Sequence, residues 1–240
     1  MASYRKMSPM LAILCMLIAT SPAGGYAALV APAAADQRGA DVEIKPEQLD
    51  KGILKKLDRL FQELSGSTET KMSWTSVSLG PDGLYFLSDA EGNQAQVTGQ
   101  AGEVSMAILH MKAEQVGEAF RSAAAQAVKE LDPAQNVTFN HAQRTCRTGR
   151  KVVTSLGGNA FSVTFDGGDV SSINLTYSYA NMPQAVKAGT QRLLRVLGNQ
   201  TFCVEKAVMY SAQNKLEWRL EARNNRTKKR VLISINASFS

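Results

Sequence analysis

The chain has 240 residues, 44% of them hydrophobic and 20% charged, and its 27 Lys+Arg against 21 Asp+Glu give a net charge of +6. This apolar content excludes a disordered chain, and so small a basic excess on so long a chain falls well short of a nucleic-acid-binding signature. The size suits one large domain or two small ones.

Arg5 and Lys6 precede a compact apolar stretch from Met10 to Ala19, and small-residue exits follow at Gly25-Tyr26-Ala27 and Ala33-Ala34-Ala35. A basic start, a short apolar segment and an A-x-A-like site form the pattern of a secretory signal peptide. Residues 1–35 are therefore set aside, with cleavage expected after Ala35 and Ala27 as the alternative. The apolar stretch is shorter than the roughly 20 residues of a spanning helix, and no second long apolar run follows. Leu14 before Cys15 argues against a lipid-modified cysteine. The Ala- and Gly-rich leader is of bacterial type, which makes the periplasm or the medium the expected location. Five N-x-[ST] triplets, at Asn136, Asn174, Asn199, Asn225 and Asn236, point instead to a eukaryotic secretory route.

Residues 36–45 are polar and are expected to form a flexible arm. From Pro46, the residues Leu49, Ile53, Leu54, Leu57, Leu60, Phe61 and Leu64 recur at three- and four-residue spacing, which predicts an amphipathic helix stopped by Gly66. It reads as a docking helix, packed on its own sheet or on a partner. Strands are predicted at 72–79, 84–88, 94–98 and 104–111, separated by Gly80-Pro81-Asp82-Gly83 and Glu91-Gly92-Asn93 turns. An Ala-rich helix is predicted over 112–131 and ends at Asp132-Pro133.

A second meander follows at 152–156, 160–165 and 170–179, with Gly157-Gly158-Asn159 and Asp166-Gly167-Gly168-Asp169 as turns. A helix from Pro183 to Leu197 stops at Gly198, and three strands close the chain at 201–211, 216–223 and 230–239. The fold class is α+β, with antiparallel β-meanders and three packed helices. It forms either a single domain over 46–240 or two similar α+β units split near 132–137. The terminal run Val231 to Phe239 reads as a core strand, or as an edge offered to a partner's strand.

Cys146 and Cys203 are the only cysteines beyond the leader. An even pair in an exported chain predicts a disulfide, closing a loop of about 58 residues worth roughly 4 kcal/mol. Only two histidines occur, His110 in an apolar strand run and His141 five residues before Cys146. The latter suggests a Cys/His nucleophile pair, which a disulfide would silence. No nucleophile elbow, zinc-protease motif, phosphate loop or dinucleotide fingerprint is present in the sequence. No cofactor, metal site or catalytic residue is therefore expected. Asp89, Glu91 and Asn93 alternate like the start of a calcium loop, but lack its sixth-position Gly and twelfth-position acid.

Two basic clusters remain. Arg144, Arg147, Arg150 and Lys151 surround Cys146, while Arg223, Arg226, Lys228, Lys229 and Arg230 occupy the last hairpin. Each is a candidate for an anionic ligand or partner, set against a solvated turn that protects a strand edge. These features lead to an exported, non-catalytic binding or assembly accessory protein of a cell envelope or secretion apparatus. Its expected partner is a protein of the envelope or extracellular space. A membrane surface is also compatible, and nucleic acid is not. The alternatives are a secreted hydrolase assembled from dispersed residues such as His141, Asp166 or Glu205, and an inhibitor or toxin-like effector of another secreted protein.

Overall fold

The computed structural model describes residues 17–18, 42–99, 102–149, 151–196, 202–213 and 215–238. Of the expected leader only Leu17–Ile18 falls within them, as a two-residue ladder opposite Leu232 and Ile233. The chain divides into two compact units between Ser171 and Ser172. Residues 132–137, where a division was expected, instead connect a helix to a strand inside the first unit.

In the first unit the strands are β1 (Val42–Ile44), β2 (Trp74–Leu79), β3 (Leu84–Asp89), β4 (Gln94–Thr98), β5 (Val104–Met111), β6 (His141–Arg147), β7 (Val153–Gly157) and β8 (Phe161–Asp166). Each pairs antiparallel with the next in sequence. The predicted hairpins are thus present, and β6 is a strand that sequence patterning missed. β1 also occupies the end of the stretch expected to be a flexible arm.

The first helix, α1 (Lys51–Ser65), starts later than Pro46 because Asp50 caps it, its Oδ1 accepting from the backbone N–H of Gly52 at 2.7 Å and of Ile53 at 3.3 Å. Gly66, at φ 73°, ends it in the left-handed conformation that glycine adopts without steric cost. Ile53, Leu57, Phe61 and Leu64 are buried together with Trp74, Val77, Leu87, Ala95, Val97 and Leu109. The helix therefore spends its apolar face on its own sheet and is not free to dock a partner. A second helix, α2 (Glu118–Leu131), buries Ala124 and Val128 and meets the sheet through Phe120, edge-on to Phe165 with centroids 5.0 Å apart.

The second unit carries most of β9 (Asp169–Tyr177) with α3 (Gln184–Val196), β10 (Phe202–Ala212), β11 (Lys215–Asn224) and β12 (Arg230–Ser238). β9 through β12 pair antiparallel in sequence order. The terminal run is thus a paired strand whose Ile233 and Ile235 are buried. Gly189 of α3 permits close approach to this sheet, since a Cβ there would lie 3.8 Å from Ile235 Cδ1. The expected stop at Gly198 lies outside the described residues. No helix among the described residues is long and apolar enough to cross a membrane.

A threefold pattern underlies this order. Each helix sits in the connection between two strands that are antiparallel neighbours, and each follows a one-turn 3-10 helix: Pro46–Gln48, Ala113–Gln115 and Tyr179–Asn181. The residue closing each turn is buried, at Leu49, Val116 and Met182, roughly 67 residues apart. From each, side chains at every fourth position face inward: Ile53, Leu57 and Phe61 in the first, Phe120, Ala124 and Val128 in the second, Val186, Thr190 and Leu194 in the third. The first two turns also share the sequence K-x-E-Q, and in both the glutamine folds back. Gln48 Oε1 accepts from Lys45 N at 3.0 Å, and Gln115 Oε1 from Lys112 N at 2.7 Å. Three helical connections thus share one local pattern, two of them in the first compact unit and one in the second.

Candidate functional site

Both cysteines are free thiols, Cys146 half-buried and Cys203 exposed. The expected disulfide is absent, and each cysteine has its own setting. Cys146 pairs with Ala107 on β5 and packs against the core beneath α1 in the first unit. Cys203 lies on β10 of the second unit, opposite Arg223. The Cys/His pair does not assemble either. His141 and Cys146 are five residues apart on one strand, which separates them by about 17 Å and turns them to opposite faces. His141 instead lies over Gly157, its cross-strand partner, while Asp166 pairs with Val153 at the other end of β7. The dispersed hydrolase set is thus unassembled in this unit, and Glu205 belongs to the other.

The Asp89 turn is closed by its own side chains. Asp89 Oδ1 accepts from the backbone N–H of Glu91 at 2.9 Å and of Asn93 at 2.8 Å, and Oδ2 accepts from Asn93 Nδ2 at 2.7 Å. Buried Asn93 in turn accepts from His110 N at 2.7 Å. Both carboxylate oxygens are therefore committed to the hairpin, and His110 is an ordinary strand residue fixed by it.

The first basic cluster separates into different roles. Arg144 projects to the helix side of β6 and donates Nη1 to the Leu64 carbonyl at 2.6 Å, at the C-terminal end of α1 where carbonyls carry partial negative charge. Arg147 is exposed at the end of the strand, Lys151 lies along Gly167, and Arg150 is outside the described residues. Beside Arg144 opens a cleft of about 630 Å³ lined by Leu60 and Leu64 of α1, Phe120 of α2, and Arg144, Cys146 and Thr154 of the sheet. Exposed Glu63, Lys151, Asp166 and Asp169 stand at its margin. Sequence reasoning named Arg144 and Asp166 but could not join them to Leu60, Phe120 or Thr154, which come from distant segments.

No family model matches this chain, and no curated protein does.

The second cluster is organised by one carboxylate. Arg223 and Arg230 stand directly opposite each other on β11 and β12, a repulsive arrangement on its own. Glu205, beside the bulge in β10, answers it: Oε1 lies 2.6 Å from Arg223 Nε, and Oε2 lies 3.6 Å from Arg230 Nε. Beyond this pairing the chain turns through Asn224, whose Oδ1 accepts from Arg226 N and Thr227 N, both at 2.9 Å. The ladder closes again with Asn224 N donating to Lys229 O at 2.8 Å. Arg226, Lys228 and Lys229 are left exposed, with no ion pair among the described residues.

A second charge group on β11 sets a pH dependence. Glu217 lies 2.8 Å from Arg219 Nη2 and accepts from Ser234 Oγ, while the Arg219 guanidinium sits over the Tyr210 ring, 5.1 Å from its centroid. The hydrogen bond from Arg219, assisted by Ser234 and opposed by burial, holds the Glu217 carboxyl below its usual range. A carboxyl lowered in the folded state adds stability above its unfolded pKa of about 4.3, and that stability is lost as pH falls through the lower folded value. Replacing Glu217 by Gln is therefore expected to lower stability at pH 7, by at most about 1 kcal/mol for so exposed a pair, and to cost progressively less below pH 4. Urea midpoints at pH 7 and pH 3 measure this; a deficit that stays constant between them would refute it.

Proposed function

We propose that this chain is an exported, non-catalytic binding protein, an accessory or assembly component of a cell envelope or secretion apparatus. On this reading it engages an acidic protein surface through the tip of the β11–β12 hairpin. The leader pattern of residues 1–35 supports export. The observation that carries the contact surface is the contrast within the hairpin. Glu205 pairs with the two arginines at its base, whereas Arg226, Lys228 and Lys229 are held outward by the Asn224 turn with no ion pair among the described residues. Three exposed cations on a hydrogen-bonded loop steer association with an anionic partner and fix its register.

The test uses protein recovered from a secreting host. Its mass should correspond to a chain beginning at Asp36 or Ala28; a chain retaining residues 1–35 would end the export reading. Capture from envelope extracts of the source cell should then recover a partner that is lost when Arg226, Lys228 and Lys229 are all changed to Glu, and that weakens as salt rises. A partner held equally by the reversed hairpin would show that the surface lies elsewhere.

A further inference from the structure

The cleft beside α1 has a chemistry that the hairpin surface does not share. Its size falls within the range of small-molecule sites, about 300–1,000 Å³. Leu60, Leu64 and Phe120 make one side apolar. On the sheet, Arg144 and Thr154 are directly opposed across β6 and β7, so their side chains emerge together on the helix face. Thr154 is 4% exposed and lines the cleft, so its side chain is within reach of a molecule bound there. A ligand that displaces water from this hydroxyl must return the hydrogen bond, which favours a polar head over an apolar one there. Arg144 gives one N–H to Leu64 and has no carboxylate within ion-pair distance among the described residues, which leaves guanidinium donors for the cleft it lines.

We infer that this cleft binds a singly charged carboxylate carrying an aliphatic chain, with the head on Arg144 and Thr154 and the chain along Leu60, Leu64 and Phe120. A guanidinium edge and a hydroxyl match one planar carboxylate. The head should carry one negative charge, not two, because Glu63, Asp166 and Asp169 at the margin oppose further negative charge and Lys151 is the one marginal cation among the described lining residues. This site stands independently of the hairpin surface and of export.

Cys146 lines the same cleft as a free, half-buried thiol and reports occupancy without any added probe group. The experiment follows maleimide modification of Cys146 by peptide mapping, with Cys203 as the internal control, in the presence of sub-millimolar dodecanoate, dodecanol, dodecyl phosphate or dodecylammonium. Dodecanoate should slow Cys146 modification and leave Cys203 unchanged, at a concentration about tenfold or more below that needed by dodecanol. Thr154→Val, nearly the same shape, should weaken protection several-fold. Arg144→Lys should do so more, since a lysine cannot present the paired edge. Equal protection by dodecanol, stronger protection by the phosphate or the ammonium, an unchanged response in Thr154→Val, or no protection at all would each overturn the assignment.

Discussion

Replacing Phe61 by Ala should destabilise the first unit by about 3–5 kcal/mol, a large share of the roughly 5–15 kcal/mol that holds a typical domain folded. Phe61 is fully buried, at 0% exposure, on the inward face of α1. Its ring meets Trp74 edge-on, with centroids 5.4 Å apart and planes at 74°, an arrangement worth more than area alone because the positive ring edge faces the negative ring face. Truncation removes both the transfer free energy and the aromatic contact. Rigid strands on one side and the α1 backbone on the other limit collapse into the void. The position is also one of three equivalents, with Val128 in α2 and Leu194 in α3, and it is the largest of them. Leu60, one residue earlier, lines the cleft and is only half-buried, so Leu60→Ala should cost far less. The two tryptophans separate the units. In a Trp218→Phe background the remaining emission comes from Trp74, and a urea titration then follows residues 26–171. A loss below about 1.5 kcal/mol for Phe61→Ala would show that α1 is not the anchor of this unit.

The parts of this architecture that sequence disclosed are those in which local and tertiary demands agree. Apolar residues at every third and fourth position placed α1, Pro183 marked the start of α3, and glycine-rich turns placed the hairpins around Gly83, Gly92 and Gly167. β6 escaped because its inward positions are Ala142, Arg144 and Cys146: a small residue, a cation that caps a helix 80 residues earlier, and a thiol that reads as chemistry. α2 was begun too early because Lys112 to Val116 are helix-compatible residues, yet they form a separate 3-10 turn that buries Val116 before Gly117 redirects the chain. The pattern shared by the three helical connections was hidden for the same reason. What recurs is one buried side chain after a short turn and a four-residue inward ladder, filled by Phe61 in one copy, Val128 in another and Leu194 in the third. The Cys146–Cys203 pairing came from parity and supposed compartment alone, and parity carries no geometry. The cleft was illegible because Leu60, Phe120, Arg144 and Thr154 belong to four different elements, joined only by strand register.

Gly157 and Gly158 look interchangeable in sequence, and the structure predicts opposite tolerance. A Cβ on Gly158 would lie 2.4 Å from the Thr138 carbonyl oxygen and 2.4 Å from Phe161 Cε1. The first is backbone, and the second belongs to a buried ring wedged against Phe139 at 5.5 Å, so neither can withdraw without moving the strand. Gly158→Ala should therefore cost about 1–3 kcal/mol by overpacking. A Cβ on Gly157 would meet His141 Nε2 at 2.3 Å, but that atom is the far end of an exposed side chain that can swing into solvent. Gly157→Ala should be mild, and combining it with His141→Ala should leave it close to neutral, a coupling that a double-mutant cycle isolates. Thermal unfolding reads the contrast, since each kcal/mol moves the midpoint of a unit this size by about 2–4 °C. The reverse ranking, with Gly157→Ala the more damaging, would overturn the packing described for this hairpin. The same pair separates fold from site. Both glycines lie at the end of the β7–β8 hairpin remote from Val153 and Asp166, so folded Gly158→Ala protein should keep the dodecanoate protection of Cys146 that Thr154→Val loses. Destabilisation without loss of protection in one variant, and loss of protection without destabilisation in the other, is the signature of a cleft whose ligand contacts are distinct from the contacts that fold it.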